Sequence, residues 1–333
     1  MLKKGRDTRA PLEIESSERR IHFGADGKIA AIVPRASLPA HKLIEEFMIQ
    51  ANVSAAETLE QRRTPLIYRV HDTPSDEKIQ ALVDFLDTLG IKWSKGQRPT
   101  TERFDKLLEQ TRGGPHADIV NEVVLRTQMQ AIYDTDNIGH FGLNLDRYAH
   151  FTSPIRRYAD LVVHRALIRA GKLGADGQPD GVDARALAEI AATISATERR
   201  AMKAERETAD RLIAHFLADR VGATFDGHIS GVTRAGLFVE LDETGADGFV
   251  PARTIGDEYF RFDEAGRAFV GRAVTHRLGD PVTVELVEAA PVAGALRFKL
   301  VGHDRAAEKR TGHKPRSRPK FAPRQNARGR RRR

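Results

Sequence analysis

Residues His140–Leu167 read HFGLNLDRYAHFTSPIRRYADLVVHRAL. Two adjacent arginines, Arg156 and Arg157, follow Ser153-Pro154 in a segment rich in Tyr, Phe and His. A guanidinium offers planar, paired donors to phosphate oxygens, and aromatic faces stack on bases. The Thr152-Ser153-Pro154 run predicts a helix start, with hydroxyls capping exposed amides and Pro154 in the first turn. Two cations at a helix N-terminus would make a phosphate site. Taken alone, Ser-Pro-x-Arg-Arg is a common pattern, and a capped helix with solvated arginines gives the same string.

Outward from this stretch the periodicity alternates between helical and extended. Residues 1–19 are charged and irregular, and Arg20–Val33 reads as two short strands around Ala25-Asp26-Gly27. Helices are predicted over Pro39–Arg62, Pro74–Leu89, Thr101–Gln110 and Ala117–Tyr133, with a short strand at Leu66–Val70. The helix opened by Ser-Pro runs to about Ala170, and another spans Asp183–Arg220. The inner stripe of that last helix is small in its middle, where seven of the thirteen residues Ser195–Glu207 are charged. Such a face suits close approach to another backbone or a ligand, and a solvated helix looks the same.

Beyond Val221-Gly222 short alternating runs take over: Ala223–Ser230, Leu237–Leu241, Gly248–Pro251, Val282–Val287 and Leu296–Leu300. They predict a small antiparallel barrel of the OB type. Tyr259, Phe260 and Phe262 fall in a loop between these runs. The fold class is therefore α+β: a mostly helical segment over 1–220, a barrel over 221–302 and a basic tail over 303–333.

A chain of 333 residues can hold two ordinary domains. No run approaches the roughly 18 apolar residues of a membrane span, and no signal-like segment opens the chain, so a cytoplasmic protein is expected. The absence of cysteine excludes disulfides and thiolate metal sites. The net charge of +8 is uneven: His303–Arg333 holds 13 Lys/Arg against 2 Asp/Glu, and the rest carries 41 against 44. That tail, with Arg330 and Arg331 in its terminal arginine run, is expected to be disordered, serving as a salt-sensitive arm on RNA or as a solubilising extension.

HFGLxLxxYAHFTSPIRRYxDLxxHR, together with His41–Asn52 (HKLIEEFMIQAN), Tyr68–Pro74 (YRVHDTP) and Glu198–Leu217, resembles the C-terminal half of the catalytic domain of the ribonuclease II/ribonuclease R family. These are processive 3′→5′ exoribonucleases. Gly222–Val301, with GHISGVTRAGLFVEL and GADGFVPA, resembles the S1-type RNA-binding domain that follows it. The resemblance implies that Arg156 contacts the scissile phosphate and Arg157 a neighbouring one, and that Glu46 lies near the 3′-terminal ribose. By the same resemblance Glu205 on the long helix influences catalysis. Tyr148, His150 and Tyr158 line the RNA channel or pack beneath the loop. His164 reads as a core histidine. On the barrel, Ala235 and Pro251 replace two expected RNA-facing side chains, leaving Phe238 with Phe225, His228 and Phe249 as candidates; Phe249 reads better as core.

The family's Mg²⁺ is held by an Asp-rich loop, and no such cluster of aspartates occurs in this sequence. Asp134 and Asp136 are the nearest approach and read as turn formers. The chain is thus expected to be the C-terminal portion of a longer monomeric exoribonuclease, without the metal-ligand half or the cold-shock domains, and with exposed apolar surface. A binding module that holds RNA or ribosomes without chemistry is the alternative. There is no dinucleotide or phosphate-loop glycine motif to support a metabolic enzyme.

Overall fold

The computed structural model describes residues 2–301 except 15–18, 36, 37, 95 and 265. Arg330, Arg331 and the rest of the basic tail lie outside the described residues.

The first part is built from α1 (Leu2–Arg9), the hairpin β1 (Arg19–Phe23) and β2 (Ile29–Pro34), α2 (Pro39–Gln61), β3 (Tyr68–Val70), α3 (Asp76–Thr88), α4 (Thr101–Thr111), α5 (Ala117–Thr127), β4 (Ile132–Asp134), α6 (Tyr158–Gly171) and α7 (Ala184–Leu217). α2, β3 and α6 share one apolar cluster, in which Ala55, Leu59 and Val70 meet Val163 and Ala166. α3, α4 and α5 close around Leu82, Phe85, Phe104, Leu107 and Val120. Between these groups β3 and β4 pair antiparallel, Tyr68 opposite Asp134. A buried serine joins this strand pair to α7, because Ser195 Oγ accepts the Tyr133 N–H at 3.0 Å.

α7 ties the two parts of the molecule together. Asp183 caps its first turn through the Ala186 N–H at 2.9 Å. Leu187 and Ala191 are buried against the helical part, and Ala214 and Leu217 are buried in the barrel core. Every residue from Arg199 to Thr208 is exposed. That is why its sequence is small and charged in the middle.

The second part is a closed barrel of β5 (Thr224–Thr233), β6 (Gly236–Leu241), β7 (Asp247–Pro251), β11 (Pro281–Ala290) and β12 (Ala295–Leu300), in the order β11-β12-β7-β6-β5. Alternation, interrupted by bulges after Ile229 and Leu286, sends Phe225, Ile229, Val239, Val250, Leu286 and Phe298 inward. Gly248 is required there: a Cβ would stand 2.1 Å from the Phe298 ring. Between β7 and β11 runs an additional antiparallel sheet of β8 (Arg261–Asp263), β9 (Ala268–Val270) and β10 (Thr275–Arg277).

Four expectations need correction. Leu2–Arg9 is helical, not irregular, because Glu46 pairs with both Arg6 and Arg9 and anchors consecutive turns. The helix expected over Ala117–Tyr133 stops at Thr127, since the chain must extend to pair β4 with β3. Phe262 belongs to a strand rather than a loop and packs with Phe260 against the barrel core, while Tyr259 is exposed. The helix expected from Pro154 begins only at Tyr158.

Candidate nucleic-acid site

The reason for that late start lies in Asp160. Its carboxylate, fully buried, accepts the Ser153 N–H at 2.7 Å and takes Arg157 Nε and Nη2 at 2.7 and 2.9 Å. Residues 153–157 are thereby drawn into a turn, with the Arg156 and Arg157 N–H groups both directed to the Ser153 carbonyl. Thr152 Oγ1 has no hydrogen-bond partner among the described residues, so it caps nothing. The helix N-terminus expected at Pro154 does not exist, and the anion site must rest on side chains.

The turn is held from behind by Asn52 of α2. Its Oδ1 accepts the N–H groups of Phe151 at 2.9 Å and Thr152 at 3.2 Å, while its Nδ2 donates to the Tyr148 hydroxyl at 2.9 Å. A buried amide with its oxygen and nitrogen both engaged is a strong positional constraint. His164 adds a bond from Nε2 to the Phe151 carbonyl at 2.9 Å and stacks on the Phe151 ring at 4.3 Å. It is a satisfied packing histidine.

Beneath the turn runs a chain of rings. His71 meets His140 at 5.0 Å between centroids, His140 meets Tyr148 at 5.4 Å, and Tyr148 meets His150 at 5.7 Å. His150 Nδ1 lies 2.9 Å from the Tyr133 hydroxyl, and the Arg69 guanidinium covers the Tyr133 ring at 4.6 Å. Burial, reinforced by neighbouring cations, pulls the pKa of both His140 and His150 down to about 3. Both are neutral at physiological pH, so this layer supports the turn by packing and hydrogen bonds without adding charge.

The arginines therefore differ. Arg157 is committed to Asp160, whereas the Arg156 side chain is exposed and its guanidinium makes no hydrogen bond or ion pair among the described residues. Tyr158 is exposed beside it, and Ile155 is fully exposed. Tyr148 is buried and His150 half-buried, so the structure sets these two under the turn rather than on its surface. Glu46 is buried with its carboxylate held by Arg6 at 2.8 Å and Arg9 at 3.3 Å; Glu45 is the exposed member of the pair. Glu205 stands on the exposed middle of α7.

On the barrel, Phe238 and Phe249 are register partners on β6 and β7, and their rings pack 5.2 Å apart on the outer surface. Gly231 faces Phe238 and leaves room for the ring. Phe249 is thus half-exposed on the outer face, against the core assignment, because its pleat parity matches Phe238. Phe225 has the opposite parity and is buried in the core, so it is no RNA-facing candidate. Sequence reading missed Asn52, whose role depends on contact between α2 and the turn, and Asp160, whose side chain folds back on residues just before its own helix. Only the hydrophobic run around Asp160 hinted that its carboxylate needed a partner.

The carboxylates near the turn are engaged by arginines: Asp160 by Arg157, Glu46 by Arg6 and Arg9, and Glu198 by Arg69 at 2.7 Å. Asp134 closes its own turn by accepting the Asp136 N–H at 3.1 Å. Among the described residues no group of three or more His, Asp and Glu is placed to hold a metal ion. No helix there is long and apolar enough to cross a membrane.

Residues 1–172 match the RNB domain and residues 218–296 the S1 RNA binding domain. Ribonuclease R of Escherichia coli (strain K12) is 39% identical over 315 residues, a match covering 92% of this chain and 39% of that protein. Ribonuclease R of Vibrio parahaemolyticus is 37% identical over 327 residues, covering 93% of this chain and 39% of the relative. The chain thus spans about two fifths of the length of the curated relatives it matches. Among solved structures, the apo form of Mycoplasma genitalium RNase R superposes with a TM-score of 0.83 at 29% identity, covering 90% of this chain and 48% of that one. The same values hold for that enzyme in complex with ribose methylated single-stranded RNA.

Proposed function

The chain belongs to the RNB family and carries an S1 domain of the ribonuclease R type, and from that premise we propose that it serves 3′→5′ exoribonucleolytic digestion of single-stranded RNA. The observation that carries this reading is the exposed Arg156, its guanidinium without a partner among the described residues, on a turn fixed by Asn52 and Asp160. Its guanidinium is free to take two oxygens of a scissile phosphate and to stabilise charge that builds up as the bond breaks. Arg157, anchored on Asp160, adds positive potential next to it, and Tyr158 offers an exposed ring for the adjoining nucleotide. Phe238 and Phe249 would stack bases before they reach the turn, each stacked base contributing about 1–3 kcal/mol. RNA is the proposed partner of a monomeric chain, and ribosome-borne RNA falls within the same chemistry.

The family's hydrolysis uses a divalent cation, Mg²⁺ by the resemblance. The carboxylates around the turn do not fit such an ion, since arginines already neutralise them. What the described residues of this chain contribute is grip, orientation and charge stabilisation; Glu205 and Glu46 act at most on that arrangement. Within this reading the chain comprises an RNB segment over 1–220, an S1 barrel over 221–302 and a basic tail over 303–333.

The test is a denaturing-gel time course of 5′-labelled single-stranded RNA with the purified chain and Mg²⁺, beside Arg156→Ala. Stepwise shortening that is lost in the variant establishes cleavage by this chain. RNA that stays intact yet is retarded on a native gel, less so with Arg156→Ala, limits the chain to holding RNA. RNA that is neither cut nor retarded overturns the proposal.

A further inference from the structure

The barrel is pressed against the helical part. Val232 and Leu278 enter the apolar cluster of α3, α4 and α5, and Gly279, at φ +85°, abuts Ile119 so closely that a Cβ would stand 2.8 Å from the isoleucine side chain. Beside this fixed contact opens a cleft of about 820 Å³, with α3 and α5 on one wall and the end of β5, Phe238 and the β8–β9 turn on the other. That volume lies within the range of ordinary ligand sites.

Three arginines enter the cleft: Arg126 from α5, Arg234 from the β5–β6 turn and Arg267 from the β8–β9 turn. Arg126 is paired with Glu122, and Arg234 lies 3.6 Å from Glu264. The remaining acids keep their charge but are turned to neutral donors: Asp247 accepts the Ser230 hydroxyl at 2.7 Å, and Asp84 accepts from Gln80 at 2.6 Å. Arg267 differs. Its guanidinium is half-buried over the Phe85 ring at 5.6 Å and makes no hydrogen bond or ion pair among the described residues. Burial, followed by the nearby Arg126, pulls its pKa down. Its backbone also sits at φ +43°, an unfavourable region for a side chain of this size. A half-buried guanidinium without a partner among the described residues, beside an Arg126 held by Glu122, is placed to take an anion.

We propose that this cleft is a subsite for single-stranded RNA, with a phosphate held between Arg267 and Arg126 and the attached base on the exposed ring of Phe238. The proposal rests on the RNA-binding reading above and adds a specific route: the strand crosses from the barrel surface onto α5. Phe238 supplies a π-face open to any base, and the guanidiniums supply donors to its phosphate, so the subsite is indifferent to sequence.

The experiment measures fluorescence anisotropy of a short 5′-fluorescein oligoadenylate with the full chain in EDTA, over a range of KCl. Arg267→Gln is expected to weaken binding roughly tenfold, as for loss of a charge-assisted hydrogen bond. It should also flatten the slope of log K against log[salt] by about 0.7, the contribution of one single-strand phosphate contact. Phe238→Leu should weaken binding by a similar factor with its slope unchanged. Arg267→Lys, which keeps the charge and most of the stem packing, should keep the slope and lose affinity. It decides the matter if Arg267→Gln melts abnormally by circular dichroism. Unchanged affinity and slope in the Arg267 variants, with Phe238→Leu still impaired, overturn the subsite and leave RNA binding by the barrel intact. Displacement of RNA by inorganic phosphate at constant ionic strength, equally in wild type and Phe238→Leu, also overturns it in favour of a free-anion site. Failure of the wild-type chain to bind the oligonucleotide overturns both readings.

Discussion

Arg157 and Asp160 form a bidentate ion pair across the first turn of α6, with Nε–Oδ2 and Nη2–Oδ1 separations of 2.7 and 2.9 Å and the carboxylate fully buried. Because Asp160 also takes the Ser153 N–H, this pair sets the shape of the turn that presents Arg156. Two adjacent arginines thus have separate duties, one internal and one outward.

Asp160→Ala is expected to destabilise the chain by about 3–5 kcal/mol, since it leaves Arg157 and the Ser153 N–H without their buried acceptor. Arg156→Ala, at an exposed position, should stay within about 0.5 kcal/mol of wild type. Urea denaturation followed by circular dichroism separates the two. Equal midpoints for the two variants would show that the ion pair does not hold the turn.

Arg156→Ala should nevertheless reduce RNA affinity and flatten the salt slope by about 0.7. If cleavage is observed, its rate should fall by about 10²–10³. Anisotropy titrations at several salt concentrations test the first point, and the gel time course the second.

His140 and His150 are held neutral, with pKa near 3 against an ordinary value of about 6.5 when unfolded. The unfolded chain therefore binds more protons below about pH 6.5, and folding stability falls as pH drops through that value toward 3. The melting temperature should decline from about pH 7.5 to about pH 5, above the usual carboxylate range. Their imidazole NMR signals should not titrate over the same window. A normal histidine titration at either position would show that the ring stack is open to water.

Glu46→Ala should loosen α1, because Arg6 and Arg9 would lose the buried carboxylate that both share. A loss of about 3–5 kcal/mol is expected for a pair this buried. Faster tryptic cleavage at Arg6 and Arg9 would locate the loss. Glu45→Ala, on the exposed side, should change neither stability nor cleavage.

Much of the architecture was readable from pattern alone. The alternation of Leu237, Val239 and Leu241 is strict because inward and outward environments differ at every second residue of a barrel strand. The length of α7 followed from its 3.6-residue period, and its small, charged middle from the exposure of Arg199–Thr208. β8 to β10 escaped notice because strands of three residues are too short to establish a period. The Ser-Pro start misled because the local capping signal at Thr152 and Ser153 lost to Asp160, whose carboxylate bends the chain before the helix begins.

By itself the sequence determined the α+β class, the barrel, the arginine motif and the family, since each rests on residue order within a short window. Tertiary structure alone decided that Arg156 has no side-chain partner among the described residues while Arg157 is bound, that Glu46 is enclosed while Glu45 is not, and that Phe249 faces outward beside Phe238 while Phe225 enters the core. In the first two pairs the neighbours are chemically identical, and local propensity cannot separate them. They differ in what the fold sets against them: Asp160, three residues on and turned inward from the first turn of α6, against Arg157, and Arg6 and Arg9 of α1 against Glu46. A side chain's chemistry belongs to its residue, but its availability depends on the partners the fold delivers.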